Sequence, residues 1–190
     1  MARWEPDTRR RLVRAALDLF IEQGYDNTTV VQIAERAGLT KSTFFRHFSD
    51  KREVLDAGQD TLCRLLSDGI ANAPDAASPI QAVGVALDAV AVAFTPEVRD
   101  LGRQLKSVIA ANSELQDRDS LKRTSLATAM TEALERRGVP ESTASLAGEL
   151  GVLAFRRAHA RWSDPANQQE LAALGRESLQ ELQTASATLS

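Results

Sequence analysis

Apolar side chains recur at three- and four-residue spacing through almost the whole of this 190-residue chain. No stretch alternates apolar and polar residues as a half-buried strand does, so the pattern predicts an all-α protein. A first helix is expected from about Pro6-Asp7 to just before Gly24, burying Leu12, Ala16, Leu19 and Phe20. Thr29-x-x-Gln32 is a capping-box signature for a short second helix, VVQIAERA, stopped by Gly38. Thr40 caps a third, KSTFFRHF, and Asp50-x-x-Glu53 opens a connector helix carrying Val54, Leu55, Leu62, Leu65 and Leu66 to about Gly69. The Pro/Ala/Ser-rich stretch 71–79 ends the connector, and helices follow at about 80–94, 97–111, 114–137, 141–162 and 166–186. The expected architecture has about nine helices. A three-helix helix-turn-helix domain over residues 1–52 is joined by the connector to a larger helical bundle over 53–190.

The segment AERAGLT between the second and third helices has what a tight helix-turn-helix needs. Ala34 is small where helices cross, Gly38 is free to take positive φ, and Leu39 plugs the turn from below. Ile33, Ala37, Leu39 and Phe44 then share one small core. Turning the third helix by about 100° per residue sends Phe44 and Phe48 inward and places Phe45 and His47 on the two flanks. Ser42, Thr43 and Arg46 form the outward face. Short polar side chains and an arginine on an exposed helix suit the major groove of DNA, where side chains reach base edges.

The run TTVVQIAERAGLTKSTFFRHFSDKREVL (28–55) resembles the DNA-binding signature of the TetR family of bacterial transcriptional regulators. The resemblance extends over about the first 55 residues, and the body agrees only in length and helical character. It implies an effector-responsive homodimeric repressor that binds double-stranded DNA at an inverted-repeat operator. An activator or effector-independent regulator of the same fold is the alternative, as is a helical ligand-binding or protein-interaction module with a vestigial head. Position by position, Thr28 or Thr29, Thr40, Lys41, Thr43, Phe45, His47 and Lys51 fall where family members contact phosphates or bases. Phe45 departs from the family pattern, standing where tyrosine is usual, so a phenolic hydrogen bond to phosphate is lost and packing alone remains.

Charge adds to this picture. Residues 1–52 carry ten Lys/Arg against seven Asp/Glu, leaving thirteen against nineteen in the rest, so a positive head precedes an acidic body. Arg9, Arg10, Arg11 and Arg14, with Arg3 and Trp4 before them, either lie along a DNA backbone or form a solvated helix face. Cys63 is the only cysteine, and His47 and His159 belong to no metal-ligand spacing, so neither a disulfide nor a metal site is expected. No nucleophile-elbow, P-loop or dinucleotide motif is present, and no cofactor or enzymatic activity is expected. The longest apolar run, 82–94, is too short for a bilayer and contains Asp88, so a cytoplasmic protein without membrane association is expected.

In the body, ASLAGELGVLAF (144–155) is apolar on nearly every face. Ala147, Gly148, Gly151 and Ala154 permit close approach of another helix, and Leu171, Leu174, Leu179 and Leu182 stripe the last one. These residues form either a four-helix homodimer interface or the central packing of one chain. For an unknown small-molecule effector, Phe94, Arg103, Phe155, His159 and Trp162 combine apolar walls with placed polar groups, and ordinary core or surface roles are the alternative.

Overall fold

A computed structural model describes residues 6–110 and 112–188, and Arg3 and Trp4 lie outside the described residues. Among the described residues every regular element is helical. The helices are α1 (Pro6–Gln23), α2 (Val30–Arg36), α3 (Lys41–His47), α4 (Gln59–Ala71), α5 (Pro79–Ala91), α6 (Pro96–Ala110), α7 (Ser113–Arg136), α8 (Glu141–Trp162) and α9 (Leu171–Ala187), with a 3₁₀ turn at Glu53–Asp56. They divide into two compact units, one made of residues 1–58 and 101–119, the other of 59–100 and 120–190. The first unit thus joins residues 101–119 to the N-terminal segment.

In the first unit α1 buries Leu12, Ala16, Leu19 and Phe20 as its periodicity requires, against Ile33, Ala34, Phe44, Phe48 and Val54. Each large side chain in this core stabilises the fold by about 2 kcal/mol relative to its exposed state. The 101–119 segment completes the core: Leu115 is buried in it, and Leu105, Val108 and Ile109 pack against it. Asn112 fastens the segment twice. Its Nδ2 donates to Asp26 Oδ1 at 3.2 Å, and its Oδ1 accepts the Leu115 N–H at the start of α7.

The expected connector helix from Asp50 does not form as one element. Asp50 Oδ1 accepts the N–H groups of Arg52 and Glu53 at 2.8 and 3.0 Å, so the predicted cap exists but opens only the 3₁₀ turn. Gly58 takes φ +100°, and α4 starts afresh at Gln59.

The second unit is organised by close helix crossings. A Cβ on Gly69 of α4 would lie 2.5 Å from Ala86 Cα of α5, so only glycine fits at this crossing. Gly151 of α8 faces Val83 and Met130, and Gly148 faces Thr131 and the Ala127 carbonyl, all within 3.0 Å of where a Cβ would stand. The last helix starts five residues later than expected. Asp164 does not cap it; its Oδ1 accepts the Ala166 N–H in a local turn, and α9 begins at Leu171.

Candidate nucleic-acid interface

The helix-turn-helix is built from local bonds. Thr29 Oγ1 accepts the Gln32 N–H at 3.3 Å, while Gln32 Oε1 accepts the Thr29 N–H at 2.9 Å, completing the capping box of α2. At the other end Gly38 takes φ +66°, its N–H bonds the Glu35 carbonyl at 2.9 Å, and the Leu39 N–H reaches Ala34 at 2.8 Å. This paired closure satisfies the last carbonyls of α2 and turns the chain into α3. The Arg11 guanidinium donates to the Ala37 carbonyl at the same turn, so this arginine is a brace of the motif.

Thr40 caps α3 by accepting the Thr43 N–H at 3.1 Å, and the two hydroxyls lie 2.9 Å apart. Phe44 and Phe48 are buried, their ring centroids 5.6 Å apart. Phe45 is 49% exposed. It stands edge-on to Phe44, with the Lys41 ammonium 5.8 Å from its ring centroid. Ser42 and Arg46 are exposed and Arg46 has no acid partner among the described residues; Thr43 and His47 are half-buried. The resulting face offers two cations, a hydroxyl and an aromatic plate.

Two candidate contact residues occupy other positions. Thr28 is buried, its Oγ1 donating to the Gly24 carbonyl at 2.8 Å, so of the pair Thr28 and Thr29 only Thr29 is exposed. Lys51 Nζ lies within hydrogen-bonding distance of the carbonyls of Tyr25, Thr28 and Asp26, at 2.7, 2.9 and 3.4 Å. An ammonium has three N–H donors, and here they are directed at carbonyls of the loop between α1 and α2. A run of carbonyls left over by the loop was the missing signal, and a sequence does not display it. Among the arginines of α1, Arg14 pairs with Asp18 at 3.0 Å and Arg9 lies over the Phe48 ring at 5.1 Å. On the surface beside α2, a two-pronged hydrogen bond from Arg36 holds the Glu22 carboxyl below its usual range.

In the second unit the residues expected at a dimer interface are covered by their own chain. Ala147, Gly148, Gly151, Ala154, Leu171, Leu174, Leu179 and Leu182 are all buried within it. The small residues do permit close approach, but the partners are α5 and α7. Phe94, Phe155, His159 and Trp162 form one aromatic group with centroid separations of 5.5 to 5.9 Å. Arg103 belongs to the other unit. Arg99 lies 5.6 Å from the Trp162 ring and donates to the Asn167 carbonyl at 3.0 Å.

Next to this group lies a small apolar cavity that periodicity did not reveal, with room for about one water molecule and partly open to solvent. Two residues from each of four helices line it: Leu62 and Leu66 of α4, Leu87 and Val90 of α5, Leu126 and Met130 of α7, and Val152 and Phe155 of α8. Only Phe155 was expected there. Met130 is the one methionine after Met1, a signal the sequence did contain.

These features define a helix-turn-helix protein with a helical body. A family model described as "Bacterial regulatory proteins, tetR family" matches residues 12–57, the segment that holds the helix-turn-helix. The transcriptional regulator TcmR of Streptomyces glaucescens is 41% identical over 83 residues, which cover 44% of this chain and 37% of that protein. The chain thus matches well under half the length of this curated relative. Two solved structures agree in fold over nearly the whole chain. NalD, described as the secondary repressor of a multidrug efflux pump in Pseudomonas aeruginosa, is 17% identical with a TM-score of 0.64, covering 93% of this chain and 96% of its own. FadR of Thermus thermophilus, a repressor solved with lauroyl-CoA, is 23% identical with a TM-score of 0.57, covering 90% and 91%. Among the described residues no helix is long and apolar enough to cross a membrane.

Proposed function

We propose that the protein is a sequence-specific DNA-binding transcriptional regulator, a homodimeric repressor released from an inverted-repeat operator by a small molecule. The observation that carries this reading is the α3 face. Lys41, Ser42, Phe45 and Arg46 stand exposed on a helix fixed from behind by Phe44 and Phe48. Arg46 reads base edges, while Lys41 and Thr29 hold the phosphate backbone. Thr40, Thr43 and His47 shape and flank this face.

A two-fold dimer supplies two such helices for two half-sites about one helical turn or a multiple apart. Since the small-residue stripe of α8 is used within the chain, the partner covers the opposite stripe. There Leu146 is 61% exposed, Leu153 lies seven residues on, and Leu150 sits half-buried between them. An effector in the second unit acts by preferring the conformation that does not fit the operator, a coupling of about 1–3 kcal/mol. Repressors among the structural neighbours, one of them solved with a small molecule, support this part of the reading.

Selection of bound sites from random DNA by the full chain tests the proposal. A palindromic consensus bound with micromolar or tighter affinity is expected, and weak binding without sequence preference would reject it.

A further inference from the structure

The outward side of α3 carries an apolar ring among polar neighbours. At 49% exposure Phe45 is the most exposed large apolar side chain among the described residues of the first unit. The ring is held from two directions. It stands at 84° to the Phe44 ring with centroids 5.6 Å apart, and the Lys41 ammonium lies over it, 5.8 Å from its centroid. Phe44 is fully buried, so the core space behind Phe45 is already filled. Turning α3 by about 100° per residue places Ser42 roughly 60° and Arg46 roughly 100° from Phe45 on one side, with Lys41 roughly 40° away on the other. The ring therefore stands between the lysine that faces phosphate and the side chains that face base edges.

A phenyl ring has no hydrogen-bond donor. A phosphate oxygen brought against it would lose water and gain no partner. On the base edges of the major groove every group but one is a polar donor or acceptor, and the exception is the C5-methyl of thymine. We infer that Phe45 packs against a thymine C5-methyl in each half-site and thereby selects thymine beside the base read by Arg46. The inference rests on the DNA-binding reading above. It adds a contact that carries sequence information without a hydrogen bond.

The test uses the full chain and the operator obtained by site selection. Each thymine of the half-site is replaced in turn by deoxyuridine, which removes the methyl and keeps every hydrogen-bonding group. At one position the replacement should weaken binding by about fourfold per half-site, the effect of one methyl group no longer buried. Changing both half-sites should weaken it by about fifteenfold. In Phe45→Ala the same replacement should have no effect, whereas Arg46→Ala, a weaker binder overall, should keep the fourfold ratio. Both variants are checked for native helical content and thermal unfolding, and the parent protein alone already reports the methyl effect. A half-site without thymine, no methyl effect at any thymine, or a methyl effect that persists in Phe45→Ala overturns the inference while leaving sequence-specific binding in place. Weak binding without sequence preference by the parent protein overturns both the inference and the reading beneath it.

Discussion

The Lys51 ammonium lies 2.7 Å from the carbonyl oxygen of Tyr25 and 4.3 Å from the centre of the same residue's ring. One cation thus joins the chain after α3 to the loop before α2, using both its hydrogen-bond donors and its charge. Lys51→Met should lower the stability of the protein by about 1–2 kcal/mol. It should leave the salt dependence of DNA binding nearly unchanged, because no phosphate contact is removed. Denaturant unfolding and a salt titration of operator binding measure the two effects; a slope reduced by about one would show that Lys51 does meet phosphate.

Arg46 is the opposite case. It is exposed and has no acid partner among the described residues, so its replacement should leave the fold intact. Arg46→Ala should weaken operator binding by about 1–3 kcal/mol and relax preference at one position of each half-site. Repeating the site selection with the variant checks this, and an unchanged consensus would move Arg46 to the phosphate backbone.

At the turn between α2 and α3, Gly38 combines φ +66° with an Arg11 nitrogen 3.0 Å from where a Cβ would stand. Gly38→Ala should therefore cost about 1–2 kcal/mol of stability, from backbone strain and displacement of the Arg11 brace. Thermal unfolding measures the loss, and operator affinity should fall with it.

The small residues of α8 give a test of where they act. Gly148→Ala places a methyl 2.9 Å from the Ala127 carbonyl, so it should destabilise each chain by about 1–3 kcal/mol through overpacking. Leu146→Glu should instead shift the monomer–dimer balance while leaving secondary structure unchanged. Sedimentation over a concentration series separates the two outcomes.

Asp50 links stability to acid. Burial pushes its carboxyl up, but hydrogen bonds from the Arg52 side chain and the backbone N–H groups of Glu53 and Arg52 outweigh this and hold it below its ordinary value. A carboxyl depressed in the folded state contributes stability above its unfolded pKa, near 3.9, and loses it as pH falls through the lower folded value. Asp50→Asn should therefore be less stable than the parent at neutral pH, with the difference shrinking below about pH 4. Urea unfolding at pH 7 and pH 3 checks the sign.

The helix-turn-helix was legible because its determinants are local. A capping box spans three residues, Gly38 answers a backbone angle, and helical angles alone divide Phe44 and Phe48 from Phe45. What the sequence concealed depended on distant partners. Lys51 reads as a free charge until the carbonyls of Tyr25 and Thr28 are found beside it. Gly148 and Gly151 announce that some helix comes close without saying whose. Asp164-Pro165 has the chemistry of a helix start, and Asp50-Glu53 that of a long helix, yet each closes a short turn because the following residues bend away. The cavity was hidden for a further reason: its liners are ordinary core residues, and only their failure to fill the space sets them apart.

The first unit draws on residues 101–119 as well as 1–58, so the polypeptide passes between the two units three times. The head is consequently not an interchangeable cassette. Grafting residues 1–58 onto the body of a relative would leave behind Leu115, Leu105 and Ile109, which seal the underside of the same core. A working chimaera has to carry both segments, and natural recombination at a single crossover would separate them.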